Sequence, residues 1–310
     1  MISPVSASPR IAISLGASFL GYATHAGFLA RLHELGVRPA AVGGSSAGAL
    51  AAGLYASGLP VDEIRALVVS WRLRWAFVQK TPWWTHYLKG TFNNAHFSAF
   101  DPAGAVDYLE SIIGRRNIED LGGPAFMAAV CDLAECQSHF LTKGSLAAAM
   151  VASCCVPSVF GPIQHQGMHC YDGGVAHETP VDPWFEDPEV DLIVVHRVAH
   201  TPRAAAKFFP FNLFNLMGQA HACACEQLLQ YRLRLAVLHQ KRIFVTQTLH
   251  DRPGMFPGRQ MESYYAAGEA EAQRFFEEEL QPLLVTHEPA AQVSEGYSAA
   301  NSRSTFSSSV

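Results

Sequence analysis

The sequence predicts an α/β fold with three layers, α/β/α, in which helices cover both faces of a central, mostly parallel sheet. Short apolar runs at 11–15 and 39–45 have the composition of buried strands, and each precedes a turn and a helical pattern. This order of elements is typical of parallel sheets with helical crossovers. At 310 residues, of which 49% are hydrophobic and 16% charged, the chain has room for one large α/β domain or two small ones.

The turn after the first strand lies at 16–21 and precedes a helix predicted at 22–35. It begins with Gly16 and ends with Gly21. Backbone N–H groups at a strand end, just before a helix, are suited to holding an anion. The loop is therefore either an oxyanion hole or an ordinary glycine turn. A phosphate-binding loop is disfavoured because no Gly-Lys-Ser/Thr sequence follows.

Residues 44–48 form a Gly-x-Ser-x-Gly motif between the second strand and a helix predicted at 47–56. A serine at such an elbow has a strained backbone, and Gly44 and Gly48 remove the side chains that would collide there. The Ser46 hydroxyl is then exposed above a helix N-terminus, which favours developing negative charge. The motif is short enough to arise by chance, so a turn without chemistry is the alternative.

The rest of the chain continues the α/β pattern. Hydrophobic periodicity predicts further helices at 61–72, 102–113, 146–152, 215–238 and 263–280, and further strands at 125–131, 138–142, 192–198 and 242–247. The domain prediction is a tail at 1–10, a core at 11–200, a helical part at 201–285 packed on the same domain, and a disordered tail at 286–310. Residues 71–100 are rich in aromatic side chains and show neither helical nor strand periodicity. We expect a long excursion from the core that either caps the active site or packs against itself.

Composition limits the classes of function. The net charge of −5 gives no reason to expect a nucleic-acid partner. No stretch has the length and apolarity of a transmembrane helix, and the N-terminus lacks the pattern of a secretory signal. The chain has seven cysteines, an odd number, and no two of them form a Cys-x-x-Cys motif. This disfavours a disulfide framework and a zinc site, and it favours a location of the protein in the reducing cytoplasm.

The Asp-Gly-Gly run at 172–174, taken alone, is a turn signal. Its combination with the other motifs is more specific. The loop at 16–21, the Gly-x-Ser-x-Gly motif at 44–48 and an Ala-Ser-x-x-x-Pro…Asp-Gly-Gly…Pro pattern within 152–180 follow the order and spacing of the patatin-like phospholipases. Over 11–198, well over half of the chain, the sequence resembles this family.

The resemblance implies a patatin-like fold and a lipid acyl hydrolase of the phospholipase A, lysophospholipase or esterase type. Ser46 matches the nucleophile and Asp172 the general base of a catalytic dyad that forms an acyl-enzyme without a metal or cofactor. The resemblance further identifies Gly16, Ala17, Ser18 and Ala47 as oxyanion-hole residues, and Gly21, Gly44, Gly48, Gly173 and Gly174 as motif glycines.

The sequence departs from the family pattern at three places. Ser18 stands at the middle glycine position of the loop, where a serine is strained if the position requires a positive φ. The loop has no basic residue, which many bacterial and plant members carry. His177 stands where an asparagine is usual, whereas His25 and Gly27 match a common His-x-Gly of the family.

Two other functions stay open at this point. An α/β-hydrolase would use a triad of Ser46, Asp172 and either His196 or His200, although no histidine lies in a distinctive motif. The second alternative is a non-catalytic lipid-binding protein on the same fold, which is favoured by the departures in the oxyanion loop.

A lipid substrate requires contact with a lipid aggregate, and two aromatic segments have a suitable composition. One contains Trp83 and Trp84, and the other contains Phe208 and Phe209. We expect these four side chains to form one rim that dips into the lipid interface, with packing in the core as the alternative. The expected location is the cytoplasm, with peripheral contact to a membrane.

Overall fold

A computed structural model of the chain describes residues 9–78, 98–200, 211–251, 258 and 260–286. The predictions for Trp83, Trp84, Phe208 and Phe209, and for the tails before residue 9 and after residue 286, fall outside these ranges.

The described strands form one eight-stranded sheet and one two-stranded sheet. In chain order they are β1 (Ile11–Leu15), β2 (Ala41–Ser45), β3 (Ser98–Phe100), β4 (Ala125–Asp132), β5 (Gln137–Leu141), β6 (Ser158–Phe160), β7 (Ile163–His165), β8 (Met168–Asp172), β9 (Leu192–His200) and β10 (Arg242–His250). The large sheet has the order β10-β9-β1-β2-β4-β8-β7, with β5 as a further partner of β4, and β3 pairs with β6.

The strands β10, β9, β1, β2 and β4 are neighbours in the large sheet and run parallel to one another. The strands β5, β7 and β8 add antiparallel pairs beside β4. Leu15 at the end of β1 pairs with Gly44 near the end of β2. The turns that follow these two strands therefore lie side by side at the carboxyl edge of the sheet, where ligands bind in open α/β folds.

Helices cover both faces of the large sheet. They are α1 (Tyr22–Glu34), α2 (Ala47–Ala56), α3 (Val61–Val69), α4 (Trp71–Ala76), α5 (Ala103–Ile113), α6 (Leu146–Ala152), α7 (Phe211–Leu238), α8 (Gln260–Phe275) and α9 (Gln281–Thr286), with a π-helical turn at Phe276–Leu280. Ile13 and Leu15 pack with α1, α2 and α8 in one core, whereas Ala12 packs with α7 and Trp184 in a second. Alternate residues of β1 thus face two separate cores, and the three-layer prediction is confirmed.

The structure differs from the predicted elements in and before the aromatic-rich segment. The helix predicted at 61–72 ends at Val69, because Ser70 is extended and caps the next helix by accepting the N–H of Arg72. The described residues of 71–100 contain α4 and β3, so part of this segment is regular. The strands β6, β7 and β8 have three to five residues each, which is too short for an alternating pattern to identify them.

All seven cysteines are free thiols, and four of them are buried. Across the ranges that the structure describes, no group of three or more His, Cys, Asp or Glu side chains is arranged to hold a metal ion. Within the same ranges, no helix is both long enough and apolar enough to cross a bilayer.

Candidate active site

Ser46 occupies a sharp elbow between β2 and α2. Its φ of 53° and ψ of −122° lie in a region that side-chain-bearing residues rarely adopt, as expected for an exposed serine at a strand-to-helix turn. The turn closes tightly because its neighbours are glycines. A Cβ at Gly48 would lie 2.1 Å from the carbonyl oxygen of Leu15, and one at Gly44 would lie 2.4 Å from the carbonyl carbon of Gly48. Glycine is therefore required at both positions.

Pairing with β4 brings Asp172 to the elbow. Ser45 pairs with Ala129, and Asp172 pairs with Val130, the next residue of the same strand. Both partners lie on the edge of β4 that β5 does not occupy, since β5 pairs with Ala129 and Val130 from the other side. The parallel β2 and the antiparallel β8 thus end facing each other, and the residues at their ends become neighbours.

Asp172 is a buried carboxylate that is held from two sides. Its side chain accepts a 2.7 Å hydrogen bond from the N–H of Gly174, and the Ser46 hydroxyl lies close enough to interact with it. Burial raises the pKa of Asp172 from 3.8 to about 6, and the interactions with Ser46 and Gly174 oppose this rise. Gly173 lets the turn sit against β4, because a Cβ there would lie 2.3 Å from the carbonyl oxygen of Ala129.

Ser153 links the elbow to β4, a contact that the sequence analysis did not predict. Its Oγ accepts the N–H of Ser46 at 2.9 Å and donates to the carbonyl oxygen of Ala129 at 2.6 Å. The side chain is fully buried. Ser153 is the serine of the Ala-Ser-x-x-x-Pro pattern, so the motif was visible in the sequence, but no pattern of spacing shows that its hydroxyl reaches Ser46.

The loop 16–21 lies beside the elbow, and two of its N–H groups are already engaged. Gly16 donates to the carbonyl of His196 at 3.0 Å, and Ala17 donates to the carbonyl of Glu178 at 2.7 Å. These bonds fix the loop to β9 and to the segment after the Asp-Gly-Gly turn. In this conformation the N–H groups of Gly16 and Ala17 point to protein carbonyls, which differs from the role expected from the sequence.

Backbone strain in this loop lies at Leu20 and not at Ser18. Leu20 has a φ of 55°, and Ser18 is absent from the described non-glycine residues with positive φ. The condition under which strain was expected at Ser18, a positive φ, is therefore not met. The Ser18 Oγ is buried without a hydrogen-bond partner. It lies over Gly21, where a Cβ would be 2.1 Å from this oxygen.

Two buried histidines connect the loop to the outer strands. The Nε2 of His25 lies 2.9 Å from the carbonyl oxygen of Gly16, and the Nδ1 of His25 lies 3.0 Å from the Nδ1 of His196. On its other side, the Nε2 of His196 lies 3.0 Å from the hydroxyl of Thr248. Burial lowers the pKa of His25 to about 3 and lowers that of His196 as well. A carbonyl oxygen only accepts hydrogen bonds, so the neutral ring of His25 donates from Nε2 and accepts at Nδ1. The Nδ1 of His196 is then the donor to His25, and the Nε2 of His196 accepts from the hydroxyl of Thr248.

His196, one of the two histidines proposed for a catalytic triad, does not complete one in this structure. Both ring nitrogens of His196 are engaged by His25 and Thr248, so His196 is not available to Asp172 or Ser46. The ring of His200 lies 4.8 Å from that of His250, between centroids.

His177, at the position where an asparagine is usual, contacts the carboxylate of Asp182 instead. Its Nε2 lies 3.3 Å from a carboxylate oxygen of Asp182, which also accepts a 2.9 Å bond from Arg232. The bonds from His177 and the charge of Arg232 overcome burial and lower the pKa of Asp182 to about 2. The ring of His177 packs edge-on against Phe140, 5.1 Å away. This residue therefore braces the turn after Asp172.

Comparisons with known proteins agree on the family. The patatin-like phospholipase profile matches residues 14–184. Uncharacterized NTE family proteins of Mycobacterium bovis and Mycobacterium tuberculosis are 30% identical to the chain over 189 residues, which is 57% of this chain and 46% of each relative. The match thus spans about half the length of these relatives.

The fold has a solved counterpart. The crystal structure of VipD from Legionella pneumophila aligns with a TM-score of 0.50 and 13% identity, over 88% of this chain and 67% of that one. The family match covers more than half of the chain and contains both Ser46 and Asp172. The chain therefore belongs to the patatin-like phospholipase family.

Proposed function

We propose that the chain is a lipid acyl hydrolase in which Ser46 is the nucleophile and Asp172 the general base. One observation carries this proposal: the Ser46 hydroxyl, at a strained elbow, is close enough to the buried Asp172 carboxylate to lower its pKa. A serine hydroxyl is a weak nucleophile until a neighbouring base accepts its proton. Membership of the patatin-like phospholipase family supports an ester of a lipid as the substrate.

The proposed reaction has two steps. Asp172 accepts the proton of Ser46 while the Ser46 oxygen attacks the ester carbonyl, and the proton then passes to the leaving alcohol as the ester C–O bond breaks. Water next attacks the acyl-enzyme and gives its proton to Asp172. The fatty acid leaves, and Ser46 regains its proton. A base with a pKa of about 6 is mostly ionised at neutral pH and still a stronger proton acceptor than an ordinary aspartate.

The proposed oxyanion hole consists of the N–H groups of Ser18 and Ala47. Ala47 is the first residue of α2, so its N–H has no acceptor within the helix and lies at the positive end of the helix dipole. Gly16 and Ala17 support the hole indirectly, because their bonds to β9 and Glu178 hold the loop in place. Donors fixed in this way need no rearrangement when the negative charge develops.

We further propose that the protein works at a lipid surface from the cytoplasm. Trp71 and Trp75 of α4 are 62% and 54% exposed, and their ring centroids are 6.3 Å apart. Exposed tryptophan pairs are typical of membrane-interface contacts. Trp83, Trp84, Phe208 and Phe209 remain part of the proposed rim. Seven free thiols are consistent with a reducing compartment.

A hydrolysis screen tests the proposed function. Purified protein is incubated with a phospholipid, a lysophospholipid, a triacylglycerol and a short water-soluble ester, with Ser46→Ala as the blank. We expect release of fatty acid from at least one lipid class, and labelling by a fluorophosphonate that Ser46→Ala abolishes. Vesicle binding without hydrolysis or labelling would favour the lipid-binding alternative, and activity that persists in Ser46→Ala would exclude Ser46 as the nucleophile.

A further inference from the structure

His25 of α1 and His196 of β9 form a hydrogen-bonded pair that solvent does not reach. Both side chains are fully buried, and their Nδ1 atoms lie 3.0 Å apart. Phe28 covers the pair, because its ring stacks on that of His196 with centroids 3.9 Å apart. Burial of two polar rings costs free energy that an aliphatic pair of similar size would not cost, so packing alone does not explain the pair.

The pair binds both backbone polar groups of Gly16. The N–H of Gly16 donates to the carbonyl of His196 at 3.0 Å, and the carbonyl oxygen of Gly16 accepts from the Nε2 of His25 at 2.9 Å. The bond between the two rings closes this set of contacts into a cycle of three residues. The hydroxyl of Thr248, 3.0 Å from the Nε2 of His196, fixes the far side of the cycle.

The peptide unit between Gly16 and Ala17 is held at both ends. Its carbonyl is bonded by His25, and its N–H donates to the carbonyl of Glu178 at 2.7 Å. This peptide therefore cannot rotate without breaking one of these bonds. The next N–H along the loop is that of Ser18, one of the two proposed oxyanion donors, so its direction depends on how the Gly16–Ala17 peptide is held.

The carbonyl oxygen of Gly16 lies against the first turn of α2. A Cβ on Gly48, the second residue of that helix, would be 2.8 Å from this oxygen. The N–H groups of a first helical turn have no acceptor within the helix, and they attract negative charge. Without the bond from His25, the Gly16 carbonyl would be drawn to these groups, which include the N–H of Ala47 that is proposed to hold the oxyanion.

We propose that His25 and His196 are positioning residues, which hold the Gly16–Ala17 peptide so that the N–H groups of Ser18 and Ala47 stay free for the oxyanion. Neither histidine contacts the reacting atoms or transfers a proton. This inference rests on the proposed hydrolase function, and it adds two residues that act on the transition state through the loop.

The kinetic test removes the donor of His25 and then restores it. His25→Leu has no donor for the Gly16 carbonyl, whereas the side-chain amide of His25→Gln keeps an N–H in a similar place. We expect kcat for a soluble ester to fall about tenfold to a hundredfold in His25→Leu, with little change in KM, and to recover most of this loss in His25→Gln. His196→Leu should resemble His25→Leu. An unchanged kcat in His25→Leu, or an equal loss in His25→Gln, would overturn the proposal.

A transition-state analogue separates positioning from a general loss of structure. When a trifluoromethyl ketone binds, the Ser46 oxygen adds to its carbonyl carbon, the Ser46 proton passes to Asp172, and the carbonyl oxygen becomes an oxyanion. An ether analogue of the substrate has no carbonyl and forms no oxyanion. We expect His25→Leu to weaken inhibition by the ketone by the same factor as it lowers kcat/KM, and to leave binding of the ether unchanged.

Thr24→Val is the matched control for this comparison. Thr24 is also buried in α1, but its hydroxyl lies 3.1 Å from the Nε2 of His250 and makes no bond to the loop. The control should change binding of neither ligand. If His25→Leu weakens the ketone and the ether equally, or if Thr24→Val weakens the ketone as much as His25→Leu does, the histidine pair has only a structural role and the proposal is wrong.

The protonated nitrogens of the two rings test the cycle without any activity. Long-range ¹H–¹⁵N correlation spectra of the wild type at pH 7 should show the ring proton of His25 on Nε2 and that of His196 on Nδ1. A proton on Nδ1 of His25 would contradict the bond to Gly16 and the proposal with it. If the wild type hydrolyses no ester, the proposed function fails, while these spectra still decide whether the pair holds Gly16.

Discussion

The backbone N–H of Ser46 donates a 2.9 Å hydrogen bond to the Oγ of Ser153. The same Oγ donates a hydrogen bond to the carbonyl oxygen of Ala129. Ala129 belongs to β4, the strand that pairs with both β2 and β8. One buried hydroxyl thus ties the strained elbow to the strand that sets the distance between Ser46 and Asp172. Ser153 is a positioning residue in this account, because it acts through the backbone of Ser46.

Ser153→Ala is expected to lower kcat by at least tenfold, because the Ser46 N–H and the Ala129 carbonyl lose their partner. The free energy of unfolding should fall by about 1–3 kcal/mol, the usual cost of leaving buried polar groups unpaired. Kinetics on a short ester and urea unfolding give both values. Ser57→Ala is the matched control, since Ser57 is buried and bonds a backbone carbonyl at the other end of α2. Parallel losses of kcat in both variants would contradict a specific role for Ser153.

Leu20 is expected to be the residue of the loop that is most sensitive to β-branching. Its φ of 55° disfavours a branched side chain. Leu20→Val should therefore lower the free energy of unfolding by about 1–2 kcal/mol and reduce kcat/KM. Leu20→Met keeps an unbranched side chain of similar size and serves as the control. Equal unfolding midpoints for the two variants would show that strain at this position does not shape the loop.

The pH profile is expected to follow Asp172. The proposed mechanism needs the carboxylate form, so kcat/KM should rise with pH through about 6 and level off above it. His196 is not available as the base, so no second ascending limb near the ordinary pKa of histidine is expected. The profile is best measured on a soluble ester, for which the state of the lipid does not change with pH. A flat profile between pH 5 and 8 would contradict Asp172 as the base.

The same pKa shift predicts that Asp172→Asn stabilises the fold at neutral pH. Between pH 3.8 and about 6 the folded state holds a proton on Asp172 that the unfolded state has lost. The free energy of unfolding of the wild type therefore falls as the pH rises through this window. Asparagine carries no charge, so the variant should gain up to roughly 3 kcal/mol relative to the wild type at pH 7, and little at pH 4. Thermal unfolding at both pH values measures the difference, and a gain that is independent of pH would contradict a buried carboxylate.

Much of the fold was predictable because the parallel strands and their helices have strong local patterns. The strand at 11–15 and the helices at 47–56 and 146–152 have the predicted bounds. The short antiparallel strands around Asp172 were not predictable in this way. Their formation depends on pairing with β4, which is a tertiary contact and leaves no period in the sequence.

The residues of the candidate site were predictable as motifs, but their contacts were not. The elbow glycines indicate where Ser46 lies, whereas the bond from Ser153 to Ser46 joins residues that are far apart in the chain. The bonds of Gly16 and Ala17 to protein carbonyls, and the pairing of His25 with His196, also depend on how the strands assemble. Sequence patterns identify chemical groups, and the sheet topology determines which of them meet.

The most direct test of the account is whether Ser46 and Asp172 act as one unit. The measurement is kcat for hydrolysis of a phospholipid by Ser46→Ala, Asp172→Asn and the double variant. We expect each single change to lower kcat by about a thousandfold or more. The double variant should be hardly worse than either single variant, because removing one member of a dyad already abolishes the contribution of the other. Near-normal turnover in Asp172→Asn, or losses that multiply in the double variant, would contradict a catalytic Ser46–Asp172 dyad.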